Sequence, residues 1–78
     1  MTRRVSYKGY IIEAHPHQLA DGGRWTLNIT IERHEGDQVS EQPFSAANLF
    51  DNEDEAVQHC INFGRQIIDG QVPGCTAR

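Results

Sequence analysis

Apolar positions in the last third of the chain recur at a helical period. Between Asn52 and Gly70, the residues Ala56, Val57, Cys60, Ile61, Gly64, Ile67 and Ile68 fall on one side at a spacing near 3.6. Glu55, Gln58, His59, Asn62, Arg65, Gln66 and Asp69 fall on the other, with His59 at the centre of the polar face and pointing away from the sheet. The segment also carries its own start and stop. Asn52 followed by Glu55 reads as an N-cap with a capping-box acid, and Asp51 is the alternative cap. Glu53, Asp54 and Glu55 lie where the helix dipole favours negative charge. Leu49 or Phe50 is placed to staple against Ala56 or Val57, and Gly70 suits the residue just past the C-cap. Gly64 interrupts the stripe. Either a large sheet residue approaches it closely, Trp25 being the candidate, or it only loosens the helix by about 1 kcal/mol relative to Ala.

Before the helix the period changes to two. Trp25, Leu27, Ile29 and Ile31 alternate with Thr26, Asn28, Thr30 and Glu32, so Arg24 to His34 is a strand with one buried and one wet face. Val5 to His15 reads as an earlier strand, with Tyr10, Ile12 and Ala14 on one face and Tyr7, Gly9, Ile11 and Glu13 on the other. Pro16 ends its pairing for want of an N–H. Asp21-Gly22-Gly23 and Glu35-Gly36-Asp37 are turns. Gln38 to Ser45 is a weaker third strand whose end Pro43 demotes to an edge or bulge, and Ala46 to Phe50 leads into the helix. The expected architecture is α+β: a three-stranded antiparallel meander packed on one C-terminal helix, β-β-β-α in two layers. The helix would cover the Trp25–Ile31 face.

A chain of 78 residues has room for one domain, residues 1–78, with an ordered core over about 5–72, Val72 folding back and a flexible tail over 73–78. Seven basic and eleven acidic residues give a net charge of −4, which opposes binding driven by nucleic-acid phosphates. No run approaches the roughly 18 apolar residues of a membrane span, and Met-Thr-Arg-Arg-Val-Ser-Tyr lacks the apolar core of a secretory signal. The expectation is a cytoplasmic protein without membrane contact. There Cys60, on the apolar stripe, and Cys75, in the tail, are expected as free thiols rather than a bridge.

Tyr7-Lys8-Gly9-Tyr10-Ile11-Ile12, then Trp25 in an alternating strand, then Asn48-Leu49-Phe50 ahead of Glu55-Ala56-Val57 and Phe63-Gly64-Arg65-Gln66-Ile67-Ile68-Asp69-Gly70, resemble small uncharacterised bacterial proteins of β-β-β-α build. The resemblance spans nearly the whole chain and its motifs are structural. It implies a free-standing bacterial cytosolic domain of unknown function, with no catalytic residues to carry over. The layout is also similar, as architecture alone, to antitoxin-type and sheet-based DNA-binding domains.

Groups that carry chemistry are sparse. His15-Pro16-His17 is the nearest approach to a metal motif, but three or four ligands are needed and His34, His59 and Cys75 are the other donors outside the core. Cys60 and His59 point about 100° apart on a helix and make no catalytic pair. The acidic run from Asp51 to Glu55 lacks the glycine-centred spacing of a calcium loop. Ser40, Ser45 and Thr26 have no argued base, and Gly22-Gly23 precedes a strand, not the helix that a phosphate loop requires. No enzyme activity, cofactor or metal is expected. The remaining candidate is the sheet face opposite the helix, carrying Tyr7, Ile11, Thr26, Asn28 and Thr30. This favours a small non-enzymatic protein-interaction or regulatory module using that face or an edge strand, with an unknown protein partner or as a weak homodimer. The alternative is a nucleic-acid-binding or antitoxin-like regulator using Lys8, Arg24 and Arg33 as contacts from the sheet.

Overall fold

The N-terminal apolar stretch is a hairpin and not a single strand. The computed structural model describes residues 3–75. It contains β1 (Arg3–Tyr7), β2 (Tyr10–Ala14), β3 (Trp25–Glu35), β4 (Gln38–Phe50) and α1 (Glu53–Ile68). The four strands form one antiparallel sheet in the order β1-β2-β3-β4, with the helix after them. The architecture is α+β with a C-terminal helix as expected, but with four strands where three were predicted.

The extra strand comes from Lys8-Gly9. Tyr7 pairs with Tyr10, and the two residues between them have φ of 49° and 83°. Positive φ at both central positions is the type I′ geometry that suits a two-residue hairpin. This turn reverses the expected side of Tyr7. Directly paired residues share a face, so Val5 and Tyr7 join Tyr10, Ile12 and Ala14 on the helix side.

The last strand is also longer than predicted. β4 runs for 13 residues, through Pro43 and on through Ala46 to Phe50. Pro43 sits opposite Thr30 on this edge strand, where a missing N–H is tolerated. Thr26 pairs with Leu49 but Leu27 pairs with Ala46, so Ala47 and Asn48 bulge out. Beyond the bulge Phe50, opposite Trp25, reaches the core with 8% of its surface exposed.

The helix ends follow the sequence closely. Asn52 Oδ1 accepts the Glu55 N–H at 2.8 Å. At the other end Gly70, at φ 75°, donates its N–H to Ile67 O, and Gln71 donates to Gln66 O. Those two bonds form a complete Schellman stop. Ala56, Val57, Cys60, Ile61, Gly64 and Ile67 are buried against the sheet. A Cβ placed on Gly64 would lie 2.6 Å from Ile12 Cγ2, so the close approach is real but its neighbour is Ile12 and not Trp25. Ile12, Ile29 and Ile31 are at most 2% exposed. Each such side chain contributes about 1.5–3 kcal/mol by burial.

Helix cover is uneven across the sheet. It lies over β2 and the first half of β3, whereas residues 33–41 at the far end of the β3–β4 hairpin are all exposed. Val72 and Cys75 pack against the core, and Cys75 N–H donates to Val72 O at 3.2 Å. Residues 76–78 of the predicted flexible tail lie outside the described residues. Among the described residues, no helix is long and apolar enough to cross a membrane.

Candidate functional site

Ile11, Thr26, Asn28 and Thr30 do lie on the sheet face away from the helix, while Tyr7 does not. That open face is organised by charge. Arg4 contacts Glu13 with one guanidinium nitrogen and Glu32 with the other, the latter at 2.8 Å. The Glu32 charge and hydrogen bond are the main reasons that Arg4 is held above its ordinary pKa. Partial burial pushes Glu32 up, but the Arg4 charge and hydrogen bond outweigh it and leave the carboxyl below its ordinary value. His15 Nε2 lies 3.0 Å from Glu13, and His34 Nε2 lies 3.7 Å from Glu32. Single exposed ion pairs stabilise little, but a shared network fixes side chains in place.

Next to this network Thr26 anchors the incoming loop. Its Oγ1 accepts from Asn28 Nδ2 at 2.6 Å and from the His17 N–H at 3.1 Å. Thr26 N–H donates to His17 O and His15 N–H to Asn28 O, so the chain keeps hold of β3 beyond Ala14 even with Pro16 between. The result is a shallow depression of about 470 Å³ whose rim includes His15, His17, Asn28, Thr30, Pro43 and Ser45. Sequence reasoning missed His15, His17 and Ser45 as part of one surface, because β4 was read as a weak strand. Among the described residues, no group of three or more His, Cys, Asp or Glu side chains is arranged to hold a metal ion.

Tyr7 instead closes a latch on the helix end. Its hydroxyl donates to Asp69 Oδ2 at 2.8 Å, and Lys8 Nζ contacts Asp69 Oδ1 at 2.6 Å. These two hydrogen bonds, that from Lys8 first, hold the Asp69 carboxyl below its ordinary value, and Asp69 holds Lys8 above its own. Arg65 lies 5.7 Å from the Tyr7 ring centroid on the same side. His59, expected to point away from the sheet, stacks on Phe50 at 4.5 Å between ring centroids. Cys60 is buried and free, its Sγ 3.6 Å from Asn28 O, and burial raises its thiol pKa. Cys75 is free as well.

The three cations of the nucleic-acid alternative are dispersed. Lys8 is engaged by Asp69, and Arg33 pairs with Glu35 at 2.7 Å while lying over the Tyr10 ring. Arg24 precedes β3 at its opposite end, nine residues (33 − 24) from Arg33. At about 3.3 Å per strand residue that is roughly 30 Å.

The sheet has two edges of different character. β1 has five residues, two of them arginine. β4 has 13 residues, of which only Glu41 carries a formal charge. Val39 and Leu49 on its open side are 52% and 43% exposed.

A four-stranded meander under one helix, with structural rather than chemical motifs, is what the residues build. A family model described as a domain of unknown function, DUF6566, matches residues 1–77. The chain belongs to that family. No curated protein and no solved structure matches it. The family therefore comes with no assigned role, and the site has to be argued from the residues themselves.

Proposed function

We propose that the protein is a non-enzymatic protein-interaction module that takes its partner along β4 and the adjoining open face. The observation that carries this reading is the long, almost uncharged edge formed by Gln38–Phe50. An edge strand offers a row of backbone donors and acceptors to another chain, and natural sheets commonly blunt such edges with lysines or by keeping them short. β4 uses neither of these; its edge devices are one proline and one bulge. Pro43 and the Ala47–Asn48 bulge break the row, so a partner strand would pair over Gln38–Gln42 or over the segment after Pro43. Val39 near the hairpin tip, Ser45 on the rim of the depression and Leu49 beyond it would supply side-chain specificity.

The arrangement of Lys8, Arg24 and Arg33, two of them paired with carboxylates, gives the nucleic-acid reading no common surface. A net charge of −4 weighs the same way.

The test compares the full chain with a Val39→Lys, Ser45→Lys double variant. Sedimentation over a concentration series reads self-association, and cross-linking with mass spectrometry in the producing cell reads other partners. Self-association or cross-links that reach β4 and disappear in the variant support the proposal. Identical behaviour of the two proteins, with melting unchanged, overturns it.

A further inference from the structure

We propose that the groove between β1 and α1 is a binding site for a small organic oxyanion, a compound carrying a phosphate or carboxylate on an apolar body. The site is separate from the β4 surface and does not depend on it. Arg3 and Val5 line it from β1, and Gln58, Ile61, Asn62 and Arg65 from the helix. The helix residues are spaced i, i+3, i+4 and i+7, which places them on one face. On β1 the alternation sends Arg3 and Val5 to that same face. The space is about 300 Å³, at the lower end of the range for small-molecule sites.

Its chemistry is specific. Among the described residues, both charged groups lining it are guanidiniums and none is a carboxylate. This sets the groove apart in a chain with eleven acidic and seven basic residues. Of the acids one turn away on the same helix face, Asp69 beyond Arg65 has its oxygens occupied by Lys8 and Tyr7, and Asp54 and Glu55 stand before Gln58 in the first helical turn, outside the lining. Arg65 is steadied by the Tyr7 ring at 5.7 Å. Guanidiniums present paired N–H groups that match the oxygens of phosphate or carboxylate. The carboxamides of Gln58 and Asn62 add donors and acceptors for a polar substituent. Val5 and the buried Ile61 give an apolar floor, so a bare inorganic ion would leave part of the groove unused.

Amide NMR of the full chain titrated with phenyl phosphate, benzoate, inorganic phosphate and phenol tests this. Saturable shifts at Val5, Gln58, Ile61 and Asn62 are expected with phenyl phosphate or benzoate, weaker ones with inorganic phosphate and none with phenol. The stronger of the first two identifies the oxyanion. Each of Arg3→Gln and Arg65→Gln should weaken binding about tenfold, the usual effect of losing one charge-assisted bond. Arg65→Lys, which keeps the charge but loses the fork, should fall between. Melting of every variant checks that the fold is kept. Absence of saturable shifts with either organic anion, or equal binding by the folded double glutamine variant, overturns the proposal.

Discussion

The two edges of the sheet meet water on different terms. β1 is short, carries two arginines, and is tied to the helix end through Tyr7, Lys8 and Asp69. β4 is more than twice as long, carries one charge, and runs out past the helix to a hairpin tip exposed from residue 33 to residue 41. The same chain therefore keeps one edge short and tied at its end, and interrupts the other only at Pro43 and the Ala47–Asn48 bulge. The unbroken, lysine-free stretch Gln38–Gln42 of β4 is the basis of the interaction proposal.

The comparison can be broken most forcefully at the helix. Gly64→Leu puts a side chain where even a Cβ would lie 2.6 Å from Ile12. Overpacking of this kind costs about 1–3 kcal/mol. Chemical denaturation should show a lower midpoint, and hydrogen exchange should show β1 and β2 losing protection before β3 and β4. Equal loss in all four strands would mean that the helix backs both edges alike.

A smaller effect is expected from opening the latch. Asp69 is below its ordinary value of 3.8 in the folded protein, so its stabilisation is present above pH 3.8 and is lost as pH falls through the lower folded value. Lys8 is above its ordinary value of 10.5, so its share is present below pH 10.5 and is lost as pH rises through the higher folded value. Asp69→Asn should lower Tm between those limits and converge with the parent protein at low pH. A pH-independent difference would assign the loss to packing and not to charge.

Smaller still are changes confined to the open face. Ile11→Glu should keep the fold and cost only about 0.2–1 kcal/mol of stability, because Ile11 faces away from the core and the new carboxylate stands opposite Glu32. Concentration-dependent NMR shifts in this variant would tell whether association extends from β4 across to β2. Unfolding would instead place Ile11 in the core. Least of all, Arg24→Ala with Arg33→Ala should leave retention on DNA at low salt unaltered, since two cations roughly 30 Å apart share no groove. A loss of about two units of salt slope would restore the nucleic-acid reading.

What was legible in the sequence is what rests on local or strictly periodic signals. Asn52 and Gly70 mark the helix ends by cap chemistry. Trp25 to Ile31 declares its buried face by alternation, and Gly64 announces a close contact without naming Ile12. What was not legible depends on pairing at a distance. Lys8-Gly9 sits inside a run of strand formers without the Asn or Asp that normally signals a type I′ turn, so unbroken alternation puts Tyr7 on the wrong face. Ala46-Ala47-Asn48 has weak strand propensity, and only pairing with β3 makes it strand. Tyr7 and Asp69 are 62 positions apart, and nothing in either residue points to the other. Arg3 and Arg65 likewise share a groove only because the hairpin turns β1 back beside α1.

The order of elements has a consequence for how the chain is made. All four strands precede the helix, so the chain is synthesised sheet first and cover last. Isolated hairpins are marginal in water, and Ile12, Ile29 and Ile31 would then face solvent. At about 5–20 residues per second, synthesis of the helix takes roughly one to three seconds. Until the helix has docked, any strands already paired present an apolar face together with the long β4 edge, so helix docking is the step that ends the chain's exposure to aggregation.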